Sequence, residues 1–153
     1  MKTIDIYTDG SHLKHTSGRL GIGGVMIENE KIVSEFSQEI NPEYLKFMYG
    51  TSDCSNPTAE MLAILMALKN FSGRLGRYQK IIFHADYLGV KNWMEGTWKV
   101  KASYIQLIKN DILEEIKTQG LTGKISFEWV KGHSGQVWNE YVDKLAKGEK
   151  KND

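Results

Sequence analysis

A single cysteine, Cys54, stands in 153 residues, so no internal disulfide can form, and a reducing compartment suits the chain. Nowhere is there an uninterrupted apolar run long enough to cross a bilayer. The opening residues Met1-Lys2-Thr3-Ile4-Asp5 lack a signal-peptide core and enter a strand pattern at once. A cytoplasmic, nucleoid or nuclear setting is therefore expected. The net charge is only +1, without the strong basic excess usual in non-specific nucleic-acid binders. Repeats, low-complexity stretches and linkers are also lacking. One domain over residues 1–148 is expected, with a polar tail at 149–153.

The hydrophobic fraction of 41% is enough for one core. Basic charge is concentrated locally at Lys99 and Lys101, and at Lys144, Lys147, Lys150 and Lys151. Such patches can follow a phosphate backbone even on a near-neutral protein, though any one of them also reads as a solvated lysine. Residues 3–9 alternate, with Ile4, Ile6 and Thr8 on one face, and predict a strand ending at Gly10. Residues 20–28 and 31–40 predict two more, joined through the short polar Glu28-Asn29-Glu30-Lys31. Residues 41–55 read as an irregular loop with at most one helical turn. Asn56 and Pro57 then fit the cap and first position of a helix running from Thr58 to about Phe71, apolar nearly all round and therefore buried. A short apolar strand at 80–85, a short helix at 88–94, a helix capped by Ser103, a strand at 124–130 and a helix at 137–147 complete the chain. The order predicts an α/β fold with a mixed sheet, antiparallel at one edge and parallel beyond.

Four carboxylates stand out. Asp9 and Asp86 each close a strand, where sites gather in open α/β sheets. Either alone is also an ordinary turn aspartate. Glu60 is the one charged residue between Pro57 and Leu68, in a helix that must be buried. A lone buried carboxylate costs several kcal/mol unless it is paired or binds metal; exposure in the first helical turn is the other reading. Asp143 flanks the apolar stripe of the last helix, where a surface role is the default. Gathered at one end of a sheet, four such groups would repel one another unless cations joined them, and hard oxygen ligands suit magnesium or manganese. His133, between glycines in Lys131-Gly132-His133-Ser134-Gly135, is placed to move protons or is a surface histidine.

The stretches Tyr7-Thr8-Asp9-Gly10-Ser11, Asn56-Pro57-Thr58-Ala59-Glu60, His84-Ala85-Asp86, Trp129 to Gly135 and Asn139 to Ala146 closely resemble type 1 ribonucleases H, in that family's order and over nearly the whole chain. The resemblance implies the RNase H-like fold with a five-stranded sheet. It also implies a metal site of Asp9, Glu60, Asp86 and Asp143 for two Mg2+ ions, with Mn2+ as a substitute, and His133 as an auxiliary catalytic residue. The substrate it implies is an RNA–DNA hybrid whose RNA strand is cut to 5′-phosphate and 3′-hydroxyl ends. Asn56 matches a minor-groove contact, and Gly10, Ser11 and His15 are expected to touch the hybrid beside it. A monomer with no membrane association is expected.

Several positions depart from the family pattern. Trp98-Lys99-Val100-Lys101 leads almost directly into the next helix, where some members carry a long basic protrusion. Ala85 stands where a phosphate-contacting Thr is common, and Tyr87 where a small hydroxyl residue is common. The 41–55 connection is longer than usual. The other readings are a hybrid-binding module without catalysis, which would have lost an acid, and another nuclease on the same fold, which would lack the Lys-Gly-His-Ser-Gly loop.

Overall fold

Two residues in the left-handed region, Asn29 (φ 52°) and Glu30 (φ 61°), turn the chain between its second and third strands. Positive φ at both central positions is the type I′ geometry, whose twist matches that of the strands it joins. The computed structural model describes residues 2–13, 18–131 and 135–149. Within them lie β1 (Thr3–His12), β2 (Leu20–Glu28), β3 (Lys31–Ile40), α1 (Pro42–Tyr49), α2 (Asn56–Asn70), β4 (Lys80–Ala85), α3 (Leu88–Glu95), α4 (Ser103–Thr118), β5 (Ile125–Trp129) and α5 (Val137–Ala146).

The strands form one sheet in the order β3-β2-β1-β4-β5. The β1–β2 and β2–β3 pairs are antiparallel, and β1–β4 and β4–β5 are parallel. The mixed sheet expected from the pattern is therefore present, with β1 at its centre. The parallel crossover from β1 to β4 carries α2 across one face, and α5 lies on the other. Period-two alternation along β1 sends Ile4 and Ile6 into the large core beneath α2 and Tyr7 into a smaller cluster with Val142 and Leu145 of α5.

Every residue of α2 from Thr58 to Leu68 is buried. Each large side chain buried there contributes about 1.5–3 kcal/mol, so α2 is fixed by its packing on the sheet and α4. On the opposite face, Gly21 and Gly23 of β2 let α5 approach the backbone. A Cβ on Gly21 would lie 1.9 Å from the Ala146 carbonyl oxygen, and one on Gly23 would lie 2.7 Å from the Leu145 Cβ. The Ser37 hydroxyl donates to the Leu145 carbonyl at 2.6 Å and pins the same end of the helix.

The segment expected to be an irregular loop at 41–55 contains a full helix, α1. Asn41 caps it, its Oδ1 accepting from the Tyr44 N–H at 2.8 Å; Pro42 opens it and Gly50 closes it with φ 67°. Smaller corrections concern element ends. β1 continues past Gly10 to His12, α2 is capped at Ser55 instead of Asn56, and Ala102 instead of Ser103 precedes α4. Residues 96–102 join α3 to α4 directly, so the basic protrusion is absent, as the sequence indicated. Among the described residues, no helix is long and apolar enough to cross a membrane.

Candidate active site

Parallel pairing of β1 with β4 places the carboxyl ends of both strands at the same edge of the sheet. Asp9 lies near the end of β1, and Asp86 immediately follows β4. Glu60 reaches the same point from α2. The close approach depends on Gly10: a Cβ there would stand 2.3 Å from the Ala59 carbonyl carbon and oxygen. Asn56 supplies a second tie, its Oδ1 accepting from the His12 N–H at 2.9 Å. Asn56 therefore does not cap α2, as its place before Pro57 suggested; it joins α2 to the end of β1.

The result is a group of Asp9, Glu60 and Asp86 whose ligand oxygens lie within 4.8 Å of one another. Asp9 and Glu60 are buried, at 3% and 4% exposure. Glu60 Oε1 is shut away from solvent and has no hydrogen-bond partner among the described residues. Burial first, then the Asp86 and Asp143 carboxylates, push Asp9 up to about 8, with a hydrogen bond to Glu60 pulling the other way. Burial, and then Asp9 and Asp86, hold Glu60 well above the ordinary carboxyl range. Two buried acids and a third beside them, with an orphaned oxygen and no cationic side chain among the three, fit a divalent cation with hard oxygen ligands.

Asp143, from α5, lines the same cavity of about 580 Å³ together with Gly10, Ser11, Asn56, Tyr87, Asn139, Lys144 and Lys147. Its carboxylate accepts from Lys147 Nζ at 3.0 Å and lies close enough to Asp9 to raise it, though outside the set of oxygens that all lie within 4.8 Å of one another. Of the residues singled out in the sequence, Asp9, Glu60, Asp86, Asp143, Gly10, Ser11 and Asn56 thus meet around one cavity. His15 and His133 lie outside the described residues. Ala85 is buried in the core and does not line the cavity.

Two lining residues, Asn139 and Tyr87, were named in the sequence only within or against the family pattern and were given no role at the site. Asn139 is buried at 6% exposure, and its Oδ1 has no partner among the described residues. The available signal was its position one helical turn before Asp143. Tyr87 fills space beside the acids: a Cβ on Gly89 would lie 2.2 Å from its ring, and the ring meets Trp93 edge-on at 5.6 Å. Its bulk is accommodated by a glycine two residues on, a local pairing visible in the sequence only once α3 is known to fold back over it.

The profile of the RNase H family matches residues 1–151. This chain belongs to the RNase H family. It is 32% identical to a ribonuclease H of Psychromonas ingrahamii over 96% of its own length and 90% of that protein. It is 33% identical to a ribonuclease HI of Xylella fastidiosa over 97% of its length and 93% of that protein. In three dimensions it is similar to the RNase H1 called LC11, solved in complex with an RNA/DNA hybrid, with a TM-score of 0.75, 21% identity and 95% coverage of each chain. That structural likeness bears on the fold, which is the α/β fold of RNase H.

Gly10→Ala tests how the RNase H site is held together. The added methyl must displace the first turn of α2, and overpacking of this kind costs about 1–3 kcal/mol. Thermal denaturation should show the loss, and calorimetric titration with Mn2+ should show weaker binding. Unchanged cation affinity would mean that α2 yields without moving Glu60.

Proposed function

We propose that this RNase H hydrolyses the RNA strand of RNA–DNA hybrids with two divalent cations, magnesium or manganese, held by Asp9, Glu60, Asp86 and Asp143. The observation that carries this reading is the convergence of three acids, two of them buried and one with an orphaned oxygen, in a chain of this family. Such cations supply, when bound, Lewis acidity and concentrated positive charge at a scissile phosphate.

The protein's own residues divide the remaining work. Asp9 and Glu60 form the buried wall of the cavity, where a lower dielectric strengthens their attraction for a cation. Asp86 and Asp143 stand at its more open side. Lys144 and Lys147 line the same cavity and present positive charge to an approaching phosphate backbone. Asn56 Oδ1 accepts the His12 N–H, which leaves the amide nitrogen of this cavity-lining residue as its donor group. A donor at that place suits the acceptors displayed in a minor groove. Gly10, Ser11 and His15 are proposed to contact the hybrid beside it. His133, at the start of the approach to α5, is proposed to move protons during the reaction. Choice of the RNA strand rests on contacts to its 2′-hydroxyls, and the ends left are 5′-phosphate and 3′-hydroxyl. The four carboxylates come from one chain, so a single copy is expected to act.

A hybrid labelled separately on each strand provides the test. In magnesium or manganese the RNA strand should be shortened and the DNA strand left whole, and EDTA should stop the reaction. Equal cutting of both strands, or cutting undiminished by EDTA, would reject the proposal.

A further inference from the structure

One carboxylate outside the cavity accepts three hydrogen bonds. Asp53 precedes α2. Its Oδ1 accepts the Ser55 N–H at 2.9 Å, and its Oδ2 accepts the Thr58 hydroxyl at 3.4 Å. The same Oδ2 accepts the hydroxyl of Tyr104, in the first turn of α4. Its own N–H donates to Thr51 Oγ1 at 3.0 Å. Burial opposes ionisation here, but the hydrogen bonds from Tyr104, Ser55 and Thr58 outweigh it and hold Asp53 below the ordinary carboxyl range.

These bonds converge on the N-terminal turn of α2. Ser55 occupies the cap position, yet its side chain makes no capping bond. Its hydroxyl is shared with Thr58 at 3.2 Å instead. Asp53 accepts no N–H of the helix itself, but its negative charge lies beside the N-terminus of α2 and its hydrogen bonds fix Ser55 at the cap and Thr58 in the first turn. Tyr104 then ties that end to α4. Thr58 lies two residues before Glu60, in an unbroken helical turn. On the other flank, Asn56 is held by the His12 N–H and Ala59 by the close approach of Gly10. The Asp53 connection thus adds a polar tie on the α4 side of the turn carrying Glu60, opposite the ties to the end of β1.

We infer that Asp53 is a positioning residue, which with Tyr104 clamps the first turn of α2 so that Glu60 meets Asp9 and Asp86 at the separation a shared cation requires. The inference rests on the reading of these acids as cation ligands. Partners that orient ligands from outside the coordination sphere commonly change metal affinity or activity by about 10–100-fold when removed.

Tyr104→Phe removes one hydroxyl from the clamp and leaves the ring in place. Tyr49→Phe is its internal control: the Tyr49 hydroxyl donates to Asp111 at 2.8 Å, linking α1 to α4 away from the acids. Mn2+ affinity is read by calorimetric titration of the whole, otherwise unaltered protein. Thermal midpoints of the cation-free proteins and KM for a hybrid are measured beside it. Tyr104→Phe should weaken Mn2+ binding about tenfold, lower activity at limiting cation and recover most of it at saturating cation, with KM for the hybrid unchanged. Tyr49→Phe should bind Mn2+ as the unaltered protein does. Asp53→Asn, which keeps the shape and removes the charge, should weaken Mn2+ binding at least as much as Tyr104→Phe.

Equal Mn2+ affinity in Tyr104→Phe and the unaltered protein would overturn the inference, even if the thermal midpoint fell. So would equal losses in Tyr104→Phe and Tyr49→Phe, or a raised KM with cation affinity intact. If the unaltered protein bound no divalent cation, the assignment of the acids would itself fail, a result distinct from all of these.

Discussion

Asp86→Asn is expected to leave a folded protein that still binds hybrid but cuts it about 10³-fold more slowly or worse. The substitution removes one negative charge and almost no volume, at a residue only half-buried. A carboxamide oxygen is a poor substitute for a carboxylate beside Asp9 and Glu60, whose separation from Asp86 suits a shared cation. Losing about 4 kcal/mol of charge stabilisation at the reacting phosphate corresponds to about 10³ in rate. Single-turnover cleavage measures the rate, circular dichroism the fold, and fluorescence anisotropy in Ca2+ the binding. Cleavage at the normal rate would remove Asp86 from the ligand set. The fold should be at least as stable without cation, because a charge that repels Asp9 has gone.

The second large effect is a dependence of stability on pH that added cation opposes. Asp9 is raised from 3.8 to about 8, and Glu60 moves in the same direction. In the cation-free protein the folded state keeps protons that the unfolded chain releases. Its stability is therefore greatest below about pH 4 as far as these groups are concerned, and falls as the pH rises through about 8. The slope for one such group is about 1.4 kcal/mol per pH unit, or about 3–5 °C in thermal midpoint for a chain of this size. A cation binds the ionised acids and opposes the loss, so magnesium should stabilise the protein more at pH 8.5 than at pH 5. Thermal denaturation of the unaltered protein and of Asp9→Asn, each with and without magnesium, isolates the contribution. If the two proteins showed the same pH slope without cation, the crowding of acids would have no energetic consequence.

The parts of this molecule that were legible in the sequence share a physical reason. The bounds of β2 and β3 could be read because a four-residue polar turn leaves the chain little choice but to reverse. Glu60 could be singled out because a charge inside an apolar helix demands an explanation, and the structure places it against two other acids. α1 was hidden because Tyr44, Leu45, Phe47 and Met48 crowd into eight residues, too few for helical periodicity to declare itself. Its terminal signals, Asn41-Pro42 and Gly50, were nevertheless present. Asn56 misled for another reason: local rules make it a cap, but its partner is His12, 44 residues earlier. The pairing of Asp143 with Lys147 follows a legible i,i+4 spacing, whereas its place at the cavity depends on how α5 packs on the sheet, which no local pattern shows.

Gly21 and Gly23 touch no acid, yet they set the height at which α5 rides above the sheet. Asp143 travels with that helix. A methyl group at either glycine would act as a spacer, lifting the helix and withdrawing one corner of the acidic quartet while every carboxylate remained chemically intact. Inactivating substitutions in this protein should therefore fall at hydrogen-only positions of an inner strand, where no inspection of the cavity lining would look for them.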